Sequence, residues 1–209
     1  MVKEKKDKSP DTEERILNAA NRVFEKKGYE GARMQEIADE AGINKALLHY
    51  YFRSKDKLFD RIFEEAFSQF WPFIQKESQK KVVNIRDLIA KLVNGYMDIL
   101  EEKPFLAAFV VGEINRSPGR IKELLLSSGL EPEKVIKIVQ TAIDKGEIVK
   151  MDPRELIINV VGLSIFPFIA RPLISNMFWN SKEDYDLFLK NRRKTVYEFI
   201  CRSVFVDNC

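Results

Sequence analysis

Apolar side chains recur along this chain at intervals of three and four residues, and no stretch alternates long enough to make a strand. Ile16, Leu17, Ala20, Val23 and Phe24 form the first stripe and predict a helix from Pro10 to Lys27. Ser9 caps it, Pro10 stands at its first position, where a missing N–H costs nothing, and Gly28 stops it. Met34, Ile37, Ala38 and Ala41 make a shorter stripe over 33–41, ended by Gly42. A third helix is predicted from Lys45 to Phe52, with Asn44 as its cap and Ile43 and Leu48 placed for a hydrophobic staple. The fourth begins near Ser54 and carries Leu58, Phe59, Ile62, Phe63, Ala66, Phe67 and Phe70 as far as Pro72. Further helices are expected over 85–101, 105–115, 132–145, 153–178 and 183–205, punctuated by Pro104, Pro118-Gly119, Gly129, Gly146 and Asn180-Ser181. The fold class is therefore all-α. Residues 1–9 read as a disordered charged arm, 10–54 as a small three-helix head and 55–209 as a larger helical body.

Composition narrows the chemistry. A chain of 209 residues can bury a sizeable core, and a net charge of +3 decides little about partners. The two cysteines, Cys201 and Cys209, and the single histidine, His49, lack metal-ligand spacing, so no metal site, cofactor or disulfide framework is expected. There is no glycine-rich phosphate loop and no histidine-based triad, so an enzyme is not expected. The N-terminus lacks the apolar core of a secretory signal. The apolar run from Leu156 to Ala170 falls short of the roughly 20 residues needed to cross a bilayer. A cytoplasmic protein with no membrane partner is the expectation.

The informative stretch is Met34 to Phe52, two short helices joined by the tight turn Gly42-Ile43-Asn44. That is the helix-turn-helix plan, in which the second helix enters the DNA major groove. Its outward face carries Lys45, Ala46, His49 and Tyr50. Lysine and histidine donate to base edges or phosphates, and alanine touches a thymine methyl. The same pattern also describes the solvated face of an ordinary helical hairpin. Lys55 and Lys57 sit in the first turn of the fourth helix, where positive side chains oppose the helix dipole and a phosphate would reconcile them.

The segment GYEGARMQEIADEAGINKALLHYYFRSKDKLF, Gly28 to Phe59, resembles the signature of the TetR family of bacterial regulators, and the likeness reaches back over the first helix. It implies a DNA-binding set of Arg33, Asn44, Lys45, Ala46, Leu47, His49, Tyr50 and Lys55, with Lys55 as the phosphate-anchoring lysine. Leu47 stands where a small hydroxyl residue is common, His49 where tyrosine is common, and Ala32-Arg33 replaces the usual hydroxyl cap of the second helix.

The resemblance further implies a homodimer formed by the last two helices, for which Leu163, Phe188, Val196, Phe199 and Ile200 are the candidates. Phe63, Phe67, Phe70, Trp71, Tyr96, Phe105, Phe109 and Phe166 either line a cavity for a largely apolar ligand or pack as plain core. Glu113, one turn from Phe109, is placed either to meet a cationic ligand or to lie at the surface. Pro167 and Pro172 are expected to kink their helix. The implied function is a repressor whose dimer reads palindromic operator DNA and is released by a small-molecule inducer. The alternative is a dimeric helical interaction module without sequence-specific DNA binding.

Overall fold

The computed structural model describes residues 10–68, 70–78, 80 and 83–206. The expected arm over 1–9 and Cys209 lie outside the described residues. Among those described there are twelve helices: α1 (Pro10–Gly31), α2 (Met34–Glu40), α3 (Lys45–Tyr51), α4 (Lys55–Phe67), α5 (Phe70–Ser78), α6 (Ile85–Glu102), α7 (Phe105–Arg116), α8 (Pro118–Ser127), α9 (Pro132–Asp144), α10 (Pro153–Ile169), α11 (Arg171–Phe178) and α12 (Lys182–Val204). The only β feature among them is one isolated bridge, Ile148 to Phe205.

The chain divides into two compact units between Ala66 and Phe67, later than the junction expected at position 54. The reason lies in α4, whose Phe59 has its ring 5.4 Å from Phe24 and 5.2 Å from Tyr29 of α1. These aromatics, with Ile16, Ile37, Leu48 and Ile62, form a core closed to solvent. Most of α4 therefore completes the head.

In the body, α10 packs against α6, α7, α9 and α12. A helix with neighbours on so many sides is apolar around most of its circumference, as its sequence is. The segment expected as one helix over 153–178 is two, bent by 75° at Ala170. Pro167 is tolerated inside α10, while Pro172 opens α11. Proline 167 has no N–H to offer the carbonyl four residues earlier, Leu163. The Arg192 guanidinium of α12 donates to that carbonyl instead, at 3.3 Å. The carbonyl of Pro167, in the last turn of α10, accepts from the fully buried Tyr185 hydroxyl at 2.6 Å. Two side chains of α12 thus repair the proline-bearing end of α10. No single helix among the described residues is long and apolar enough to cross a membrane.

Other departures from the sequence pattern have local causes. The fourth helix was expected to continue to Pro72, but a break after Phe67 gives α5, with Pro72 in its first turn. The segment after Pro118-Gly119 is a helix, α8, which begins on its proline. Gly95 of α6 lies under the Phe70 ring, and a Cβ there would come within 2.3 Å of it. Any residue but glycine at 95 displaces that ring. Cys201 is a buried thiol outside any disulfide.

Of the two readings of the aromatic set, cavity lining and plain core, it is for the most part plain core that is found. Phe67, Phe70, Trp71 and Tyr96 stack on one another with ring centroids 4.5 to 6.2 Å apart. Their burial pushes the Tyr96 phenol well above its ordinary range. Phe63 belongs to the head core, Phe109 is buried, Phe105 is half-buried, and Phe166 is exposed. Glu113 is neither a surface carboxylate nor open to a cation. It is 2 % exposed and ion-paired with both Arg116 and Arg120, the latter at 2.7 Å. Two of the expected dimer residues, Val196 and Ile200, are buried within the protomer. Leu163 and Phe188 are half-buried, and Phe199 stands exposed.

Candidate nucleic-acid interface

The turn between α2 and α3 is fixed by its backbone. Gly42 has φ 65°, a left-handed conformation that glycine alone adopts without strain. The Gly42 N–H donates to Asp39 at 3.1 Å and the Ile43 N–H to Ala38 at 3.0 Å, the paired bonds of a Schellman stop. Asn44 then caps α3, its side-chain oxygen accepting from the Leu47 N–H at 2.8 Å. Arg33 occupies the N-cap of α2 with no side-chain cap bond, as expected where the hydroxyl residue is replaced. Three basic residues of α1 hold α2 in place. Arg15 donates to the Ala41 carbonyl at 2.8 Å, Arg22 pairs with Glu40 at 2.6 Å, and Lys27 with Glu36 at 2.7 Å. The Lys27 ammonium holds the Glu36 carboxyl below its ordinary range.

With α3 so placed, its faces separate cleanly. Leu48 is fully buried, whereas Asn44, Lys45, Ala46, His49 and Tyr50 are exposed and Leu47 is half-buried. Lys45 and His49 are four residues apart, as are Ala46 and Tyr50, so the four form one outward stripe. The His49 Nδ1–H donates to the Arg53 carbonyl at 3.3 Å, which leaves Nε2 for a partner outside the helix. Arg33, at the entrance to α2, is also exposed.

Lys55 differs from expectation. Its ammonium turns inward and donates to the carbonyls of Tyr29 at 2.7 Å, Ala32 at 3.2 Å and Glu30 at 3.5 Å, and it stands 4.4 Å from the centre of the Tyr29 ring. A lysine has three donors, and here each has a carbonyl. Those carbonyls follow Gly28, whose φ of 68° interrupts the regular helix of α1. The Tyr29 hydroxyl, in turn, donates to Asp56 at 2.5 Å. Lys55 and Asp56 therefore clamp the end of α1 to the start of α4. The lysine that points outward is Lys57, 74 % exposed and paired with Asp60 at 3.6 Å. Ser54, which accepts from the Lys57 N–H at 3.2 Å, opens the same helix.

Residues 16–62 match the model of the bacterial regulatory proteins of the tetR family. The helix-turn-helix head is that of the TetR family. YfiR of Bacillus subtilis (strain 168), an uncharacterised helix-turn-helix transcriptional regulator, is 26% identical over 155 residues, 73% of this chain and 74% of its own length. NicS of Pseudomonas putida, a helix-turn-helix transcriptional repressor, is 41% identical over 59 residues, 28% of each chain. The crystal structure of FadR from Bacillus subtilis in complex with stearoyl-CoA has the same fold, with a TM-score of 0.65 at 19% identity over 90% of this chain and 96% of that one. With this head and these relatives, the chain is a helix-turn-helix transcriptional regulator.

Proposed function

We propose that the chain is a repressor that binds palindromic operator DNA as a homodimer and is released by a small-molecule ligand. The stripe of Lys45, Ala46, His49 and Tyr50 on α3 carries this reading, since it is exposed, mixed in donor and apolar character, and held on a helix capped at its start. In this reading Lys45 and His49 meet base edges, Ala46 and Leu47 meet apolar groups such as the thymine methyl, and Arg33, Asn44 and Tyr50 meet the backbone. The backbone phosphate assigned on sequence to Lys55 passes to Lys57 and the N-terminus of α4.

The dimer reading is supported by exposed apolar residues on the last helices. Ile158 and Phe166 of α10, Leu173, Met177 and Phe178 of α11, and Leu187 and Phe199 of α12 are each more than half exposed. A second copy covering them would pair two heads, and a palindromic operator requires their α3 helices about 34–36 Å apart, one turn of B-DNA. Release by a ligand requires only that the ligand prefer a different spacing. The repressor NicS and the stearoyl-CoA complex of FadR are the precedents among its relatives.

The test is a titration against DNA from upstream of its own gene and against a scrambled duplex, at several salt concentrations. The reading expects specific DNA to win by about 10³-fold or more, with affinity falling steeply as salt rises. Equal weak binding to these duplexes and to every sequence in a random pool would overturn it.

A further inference from the structure

The aromatic core of the body is closed, but a cleft of about 340 Å³ lies against α9 and the first turn of α6. That volume is at the lower end of ligand-sized pockets, roughly 300–1,000 Å³. Its walls combine two chemistries. Four lysines, among them Lys134, Lys137 and Lys145, stand around it with one glutamate, Glu147. Ile85, Ile138 and their apolar neighbours make the rest.

The charges of this cleft are incompletely matched. Lys134 pairs with Glu131 at 2.6 Å, and Lys145 reaches Glu147 only at 3.8 Å. Lys137, which is exposed, has no carboxylate within ion-pair distance among the described residues. Ile85 is the first residue of α6, so the positive pole of that helix adds to the field. The turn that carries Lys145 and Glu147 is anchored, because the Val149 N–H donates to the Val204 carbonyl at 2.8 Å and Ile148 bridges Phe205. A small neighbouring gap shares Lys134 and Ile138 with the cleft. Its wall includes Trp71, whose buried indole N–H has no hydrogen-bond partner among the described residues.

We infer that this cleft binds an amphiphilic anion, a carboxylate or phosphate carried on a short apolar chain. The lysines take the charged head and the isoleucines the chain, a division that a purely apolar ligand or a bare inorganic anion does not satisfy. The site stands on its own geometry. Its regulatory meaning rests on the reading that a ligand releases this protein from DNA.

Calorimetric titration of the full chain with octanoate, octyl phosphate, octanol and inorganic phosphate tests it. Octanoate and octyl phosphate are expected to bind at least about tenfold more tightly than octanol or inorganic phosphate, because each supplies both halves. Lys137→Glu and Lys145→Glu should each weaken them by about tenfold, while Lys122→Glu, the same charge change on exposed α8, should not. Thermal melts of the three variants check that the fold is kept. No binding of either amphiphile, equal binding of octanol, or indifference to both cleft variants would overturn the site. Operator titration with and without octanoate separates the two readings. Lower DNA affinity joins them, whereas binding that leaves DNA affinity unchanged keeps the site and counts against release of the operator through it.

Discussion

The head and the body each interrupt a helix, and at each interruption a basic side chain from elsewhere in the chain donates to backbone carbonyls. In the head the carbonyls of Tyr29, Glu30 and Ala32 follow a glycine stop, and Lys55 takes them. In the body the carbonyl of Leu163 is freed by a proline inside a helix, and Arg192 takes it. The difference lies in how the need arises. A glycine after a helical stripe announces the end of a helix. A proline in an apolar run does not say whether the helix breaks at it, before it or after it. Here the break comes three residues later, at Ala170. A basic residue close to a DNA-reading element is therefore not by that fact a DNA contact, since the fold has its own claims on cations.

The largest effect is expected in the body, where packing has no slack. Gly95→Leu drives a side chain into the Phe70 ring, which already lies within 2.3 Å of where a Cβ would sit. Overpacking of this kind costs about 3 kcal/mol, the upper end of the usual range. Thermal denaturation of Gly95→Leu alone and combined with Phe70→Ala checks it. The double variant should be less destabilised than the two single changes summed, and strict additivity would show that the two residues do not meet.

The paired carbonyl clamps come next. Lys55→Met and Arg192→Met each leave carbonyls without their side-chain donor, at a cost of about 1–3 kcal/mol. Lys55 and Arg192 are both half-exposed, so water offsets part of the loss and the lower half of that range is expected. Hydrogen exchange should accelerate in the head for Lys55→Met and in the body for Arg192→Met. The Lys55 variant also decides between clamp and phosphate anchor. A clamp predicts lower stability with the salt dependence of DNA binding unchanged. An anchor predicts unchanged stability and a log–log salt slope smaller by about one.

How much of this was legible beforehand follows the same division. Gly28, Gly42 and Asn44 act within a few residues of themselves, so the helix-turn-helix and the outward stripe of α3 were readable from spacing alone. The inward turn of Lys55 was not readable because its acceptors lie 23 to 26 residues away in sequence. Arg15, Arg22 and Lys27 look like ordinary solvated charges on α1, and nothing local says that they fasten α2. In the body the aromatics were recognised, but their spacing does not separate a lined cavity from mutual stacking, and the stacked arrangement is the one found. Glu113 was unreadable for a similar reason. Its neutralising arginines stand three and seven residues away, where a sequence shows only a charged helix face.

A smaller effect is expected at the start of α3. Asn44→Ala removes the acceptor of the Leu47 N–H and should cost about 1 kcal/mol. The consequence for DNA should exceed the consequence for stability if α3 is the reading element, because a frayed first turn misplaces Lys45 and Ala46. Asn44→Asp keeps the cap and should retain stability while placing a negative charge beside the DNA. Weakened DNA binding by Asn44→Asp in a protein of unchanged thermal stability would therefore locate the interface at this turn. Normal binding would move it elsewhere.

The smallest effect on the fold, and the sharpest on the comparison, is expected at Lys57. Its side chain is 74 % exposed and its pair with Asp60 spans 3.6 Å, a surface arrangement worth little to stability. Lys57→Ala should leave unfolding within about 0.5 kcal/mol of the parent. If Lys57 meets a phosphate, the variant should weaken specific and scrambled duplexes by the same factor and lower the salt slope by about one. Lys45→Ala should instead weaken the specific duplex more than the scrambled one, since a base contact is lost with the charge. The opposite assignment, with Lys57→Ala silent and Lys55→Met lowering the slope, would mean that the inward position of Lys55 belongs to the free protein alone. DNA would then draw that ammonium off its three carbonyls, and the clamp between α1 and α4 would be released by binding.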